Sequence, residues 1–181
     1  MTTVLHLLDT TGPGGAETVF LDVAVGMAGR GFDPVPVVPG PGWVWDTAVA
    51  RGLEPVQLGP VGRFSIKFVR ELARLARQRK ARLIHAHLLG SAVYGGLAGR
   101  LAGIPVVATF HGLTDLRAGD PFRLVRHSIL RRSVDRIVLV SNALRAEVLA
   151  RTGYPAHRSE VIHNGIDLTR YRPGRDNVLR D

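Results

Sequence analysis

No stretch constrains this chain more than Thr10-Thr11-Gly12-Pro13-Gly14-Gly15-Ala16-Glu17. Ahead of it, Val4-Leu5-His6-Leu7-Leu8 reads as a short apolar strand. Behind it, Ala16 to Met27 places Val19, Phe20, Val23 and Met27 on one helical face, with Gly29 and Gly31 able to end the helix. A strand that turns through glycines into a helix start is a ready anion site. The glycines admit a ligand close to the backbone, and the first helical N–H groups point outward without partners.

The rest of the chain repeats the unit. Asp33 to Val38 reads as a second strand, whose prolines suggest an edge-like position. A loop at Gly40–Gly42 leads to a short helix from Trp43 to Arg51, and Glu54 to Leu58 is a weak third strand. Phe64 to Arg79 is amphipathic: Phe64, Phe68, Leu72, Leu75 and Ala76 line one face and Lys67, Arg70, Arg74 and Arg77 the other. Leu83 to His87 is a fourth strand. The glycines of the helix from Gly90 to Leu101 lower its propensity, which points to close packing against a sheet. Pro105 to Phe110 is a fifth strand ending at His111-Gly112, Pro121 to Ser133 a basic helix, and Arg136 to Val140 a sixth strand. Ser141-Asn142 then caps a helix to about Arg151, and Ser159 to Ile162 is a seventh strand. This alternation predicts an α/β, Rossmann-like doubly wound fold: a mostly parallel sheet of about seven strands with helices on both faces. Ligands bind such sheets at the carboxyl ends of the strands. Gly14, Gly15, Glu17, His87, His111, Gly112, Ser141, Asn164 and Gly165 all fall there.

Two more specific readings of these strand ends are weak. Gly12-x-Gly14-x-x-Glu17 half matches a dinucleotide fingerprint, but Glu17 stands where a third glycine is needed. The second strand also ends in Val37-Val38-Pro39-Gly40, with no acid for a ribose. His85 and His87 share a strand face and with His111 could form a three-histidine metal set. No carboxylate ligand lies near them, so no metal is expected; His85 is read as packed inside and His87 as lining a loop. His111, where a strand gives way to glycine, is the candidate hydrogen-bonding or acid–base group. Asp115 and Asp120 follow it in a polar loop.

The formal net charge is +9, and of 24 basic residues only Lys67 and Lys80 are lysine. Such a field favours anionic partners. The basic helices around Lys67–Arg82 and Arg117–Arg136, the second with Phe122, Leu124, Val125, Ile129 and Leu130, suit peripheral contact with an anionic membrane. Exposed aromatics for stacking bases are not evident, so nucleic acid is not an expected partner. Cysteine is absent, which excludes disulfides and thiolate chemistry. The chain enters its first strand without a basic leader or a separate apolar run. The expected location is cytoplasmic, with possible contact at the inner face of the membrane.

In order and spacing, Gly14-Gly15-Ala16-Glu17, His85-Ala86-His87, Thr109-Phe110-His111-Gly112, Val140-Ser141 and Val161-Ile162-His163-Asn164-Gly165-Ile166-Asp167 resemble the N-terminal domain of GT-B-fold glycosyltransferases of the family 4 type. The resemblance covers almost the whole chain. It implies a retaining transfer of sugar from a nucleotide-sugar donor to a lipid, glycan or small-molecule acceptor, without a metal or other cofactor. It also implies that residues 1–170 are the acceptor-side domain and that 171–181 begin a linker to a second, donor-binding domain. On it, His111 faces the transferred sugar, Gly14, Gly15 and Glu17 lie at the donor phosphates or acceptor, and Asn164-Gly165 lies near the interdomain hinge. His87, Gly112 and Ser141 are counted with the binding residues. The family continues past the point where this chain stops at Asp181; a piece lacking the second domain is expected to be inactive. The alternative is a stand-alone, non-catalytic binding or docking module.

Overall fold

Runs of β-branched and apolar residues alternate with helix formers along the chain, and the computed structural model resolves that alternation into parallel βα units. It describes residues 1–59, 64–113, 116, 121–166 and 168. Asp115, Asp120, Asp167 and residues 171–181 lie outside the described residues. The strands are β1 (Thr2–Leu7), β2 (Phe32–Val38), β3 (Val56–Gln57), β4 (Leu83–His87), β5 (Val106–Phe110), β6 (Arg136–Leu139) and β7 (Ser159–Val161). The helices are α1 (Gly15–Ala28), α2 (Trp43–Ala50), α3 (Ile66–Gln78), α4 (Leu88–Ala102), α5 (Arg123–Ser133) and α6 (Asn142–Thr152). Among the described residues no helix is long and apolar enough to cross a membrane.

The sheet runs β3-β2-β1-β4-β5-β6-β7 with every pair parallel. The order reverses between β1 and β4, which opens a crevice at their carboxyl ends. Alternate residues divide between the two faces. Leu5, Leu7, Ile84, Ala86, Val106, Ala108, Phe110, Ile137 and Leu139 join the core beneath α3, α4 and α6. Leu8 and Val38 face the other way and pack with Phe20, Leu21, Ala24, Val44 and Ala48 of α1 and α2.

Three expectations about packing need correction. β2 is not at the edge. Its prolines survive because Pro34 and Pro36 turn their backbone away from β1, toward a side where β3 pairs only with Val37 and Val38. A missing N–H has no ladder partner to lose there. On α1 the buried residues are Phe20, Leu21 and Ala24, whereas Val19, Val23 and Met27 are half-exposed. The helix is apolar nearly all round, so spacing alone could not single out its core face. Phe64 is likewise exposed, although its ring stacks on Tyr94 with centroids 5.5 Å apart. The α4 glycines do meet the sheet: a Cβ on Gly99 would lie 2.3 Å from Val106 Cγ2, and one on Gly95 3.2 Å from Ile84 Cγ2.

Candidate functional site

The glycine-rich loop is built from both sides. Gly14 is the N-cap of α1 and offers no side-chain cap, so the first-turn N–H groups are left to solvent or ligand. Glu17, three residues on, folds back over Gly14: a Cβ there would lie 2.2 Å from Glu17 Oε2. The Glu17 carboxylate therefore lies beside the first turn of α1, where a side chain at position 14 would displace it. A Cβ on Gly15 would meet nothing within 4 Å. Thr10 Oγ1 donates to Glu17 Oε1 at 2.6 Å. From the far side the backbone N–H of Val44 donates to the Thr11 carbonyl at 3.1 Å. Gly42, at φ 149°, passes so close that a Cβ would sit 2.9 Å from the Thr11 oxygen. The start of α2 therefore clamps the loop.

Across the crevice, His87 ends β4 and His111 follows β5. His87 Nδ1 and His111 Nε2 are 2.8 Å apart, with the rings stacked at 5.1 Å. His111 is half-buried, and burial lowers its pKa while the Glu17 carboxylate opposes the shift. Glu17 is thus electrically coupled to His111, joining the β1 loop to the β5 end. His87 is fully buried and His85 half-buried, the reverse of the sequence expectation. His87 presents no surface of its own to a ligand and reaches the crevice through His111. Burial, chiefly, holds His87 well below the ordinary imidazole range, with His6, His85 and His111 pushing the same way. His85 is lowered to about 4, by burial and then by His111. All of these rings are neutral near pH 7.

Three residues escaped sequence reading. His6, fully buried in β1, stands opposite His85 in the register. Asp9 brings its carboxylate against Gly90 in the first turn of α4, where a Cβ would lie 1.9 Å from Oδ2. Leu88 adopts φ 71°, a left-handed conformation costly for a bulky residue, immediately after His87. The Gly90 two residues beyond Leu88 was the available signal.

The remaining candidates disperse. Gly112 is half-buried beside His111. Ser141 caps α6 by accepting from the Leu144 N–H at 3.1 Å. Asn164 is exposed beyond β7, and Gly165 lines a groove with Val19, Val23 and Met27 along α1 instead of joining the His111 cluster.

Comparisons with known proteins agree with this architecture. An alpha-maltose-1-phosphate synthase of Mycolicibacterium smegmatis is 36% identical over 104 residues, 51% of this chain and 26% of its own length. A D-inositol 3-phosphate glycosyltransferase of Mycolicibacterium vanbaalenii is 25% identical over 185 residues, covering 89% of this chain and 41% of the relative. In three dimensions the chain matches Anabaena HepE in its UDP-glucose complex with a TM-score of 0.81 at 21% identity, covering 99% of this chain and 48% of that one. A glycosyltransferase of Rickettsia africae matches with a TM-score of 0.76 at 19% identity, over 93% of this chain and 44% of the other. The chain thus spans less than half the length of each of these proteins. Residues 13–170 match the model of Glycosyltransferase Family 4. With that match running through nearly every element of the sheet, the chain belongs to Glycosyltransferase Family 4.

Proposed function

We propose that this chain is the acceptor-side domain of a retaining glycosyltransferase, moving a sugar from a nucleotide-sugar donor to a lipid, glycan or small-molecule acceptor. The observation that carries the reading is the meeting of the uncapped α1 start, Glu17 and His111 across the β1–β4–β5 edge in a family 4 chain. The transition state of such a transfer develops positive charge on the sugar and negative charge on the departing diphosphate. The α1 N–H groups oppose the second, and fixed donors of this kind act without reorganising. His111 is the group at hand for the transferred sugar or the acceptor hydroxyl. HepE in complex with UDP-glucose supports a uridine nucleotide sugar as donor, and the synthase and inositol-phosphate enzymes support a sugar or polyol phosphate among the acceptors.

Residues 1–170 form the domain and 171–181 lead toward a donor-binding partner domain. That the chain spans only 26% to 48% of the length of these proteins supports that division. The exposed apolar residues at the start of α5, flanked by arginines, support peripheral contact with an anionic membrane and hence a lipid-borne acceptor. The test incubates the protein at its natural length with UDP- and GDP-sugars and candidate acceptors, and follows nucleotide release. Acceptor-dependent release with the anomeric configuration kept supports the reading. Inversion overturns the retaining assignment. No turnover with any pair leaves the binding-module alternative in its place.

A further inference from the structure

His6, His85 and His87 project from the neighbouring strands β1 and β4 onto one face of the sheet. A nitrogen from each lies within 4.8 Å of the others. The ring centroids are 4.8 Å apart for His6–His85, 4.6 Å for His6–His87 and 4.5 Å for His85–His87. Each ring has one nitrogen already tied outward. His6 Nε2 is 2.9 Å from the Phe20 carbonyl, His85 Nε2 is 2.8 Å from Thr109 Oγ1, and His87 Nδ1 is 2.8 Å from His111. A carbonyl can only accept, so His6 Nε2 carries the proton and Nδ1 keeps a bare lone pair. That Nδ1 and the Nε2 of His87 are both buried and unpartnered. Buried polar atoms are rarely left so, because each lost hydrogen bond is destabilising.

We propose that His6, His85 and His87 bind one divalent transition-metal ion of the zinc class. His6 supplies Nδ1, His87 supplies Nε2, and His85 supplies the nitrogen that Thr109 leaves free. An all-imidazole set suits zinc and its neighbours and not magnesium or calcium, which demand oxygen. Tetrahedral bonds of 2.0–2.1 Å place ligand nitrogens roughly 3.4 Å apart, so small ring rotations close the trio. The Phe20 carbonyl, Thr109 hydroxyl and His111 imidazole are the outer partners that orient metal-bound histidines. Burial keeps the rings unprotonated, the form that ligates. Three protein ligands leave a fourth position for water or an anion. With His87 ligating through Nε2, its Nδ1–H donates to His111, and His111 then carries its proton on Nδ1. The ion would also pin β1 to β4 where the strand order reverses.

The site touches the transferase reading only through the His87–His111 hydrogen bond, and its test does not require turnover. The protein at its natural length is unfolded, treated with a chelator, and refolded with zinc, with cobalt(II) or with neither. The expected result is one ion retained per chain by elemental analysis, a visible spectrum of tetrahedral cobalt, and a higher melting temperature with zinc. His6→Phe and His85→Phe should abolish retention, and the exposed His157→Gln and His163→Gln should not. Thr109→Val, which keeps all three ligands, should weaken binding about 10–100-fold. No retained ion in the parent protein overturns the site, as does retention undiminished in His85→Phe. Should the phenylalanine variants fail to fold, unchanged affinity in Thr109→Val overturns it.

Discussion

At the scale of single residues, His111 and Tyr154 do opposite kinds of work. His111 sits half-buried between His87 and the charge of Glu17, at the edge of the core. His111→Ala in the natural-length enzyme should lower kcat about 100-fold or more, the scale of a positioned acid–base group, with the fold kept in circular dichroism. Turnover at the parent rate would remove His111 from the site. Tyr154 is buried and donates its hydroxyl to the Val134 carbonyl at 2.9 Å, with the Arg158 guanidinium 4.8 Å over the ring. Burial pushes its pKa up to about 12, against the lowering influence of Arg158. A folded pKa above the unfolded value of about 10 means that the stabilisation is complete below pH 10 and is lost as pH rises toward 12. Tyr154→Phe should cost about 1 kcal/mol at pH 8. It should also lose less further stability than the parent between pH 9 and 11 in urea titrations; equal losses would show that the phenol is not the alkaline-sensitive group. Neither role was legible in advance to the same degree. A histidine before a glycine at a strand end drew notice, whereas Tyr154 lies in a turn with no pattern around it, and only packing shows what its hydroxyl meets.

At the scale of elements, local pattern and packing agree in some places and part in others. The glycines of α4 lower helical propensity, yet Gly99 faces Val106 so closely that an added Cβ would lie 2.3 Å from Cγ2 and 3.0 Å from the Ile104 carbonyl. Gly99→Ala would gain about 1 kcal/mol of propensity and lose about 1–3 kcal/mol to overpacking. Net destabilisation in thermal melts is expected, and a raised melting temperature would show that β5 can yield. Those glycines were readable because a helix so poor in propensity needs a packing reason. The core face of α1 was not readable, since valines and a methionine on the flank look the same as the phenylalanine and leucine beneath. The prolines of β2 misled for a related reason. Proline excludes hydrogen bonding on one side of a strand, and an outer strand too short to reach them satisfies that condition as well as an edge does.

At the scale of the whole molecule, the parallel order sets every helix start at the edge that carries the site. α3 and α5 flank α4 on one face, so Phe64 and Ile66 before and at the start of α3, and Phe122, Leu124 and Val125 at the start of α5, emerge near that edge, with Leu124 75% exposed. With a net charge of +9, the protein should sediment with vesicles containing anionic lipid and be released by salt. Leu124→Glu together with Val125→Glu should abolish sedimentation and leave the circular dichroism unchanged. Undiminished binding by that pair would place the contact elsewhere. The sequence by itself determined the βα alternation, the seven strands and the glycine turn, because strand and helix periodicities and turn chemistry are written in neighbouring residues. It also carried the motifs that mark the family. Only the tertiary structure decided which strand ends meet. It brought Glu17, His87 and His111 together, sent Gly165 along α1, and set His6 opposite His85 from far earlier in the chain. Strand order is fixed by which apolar faces bury against which helices, a sum over the whole core that no local window contains.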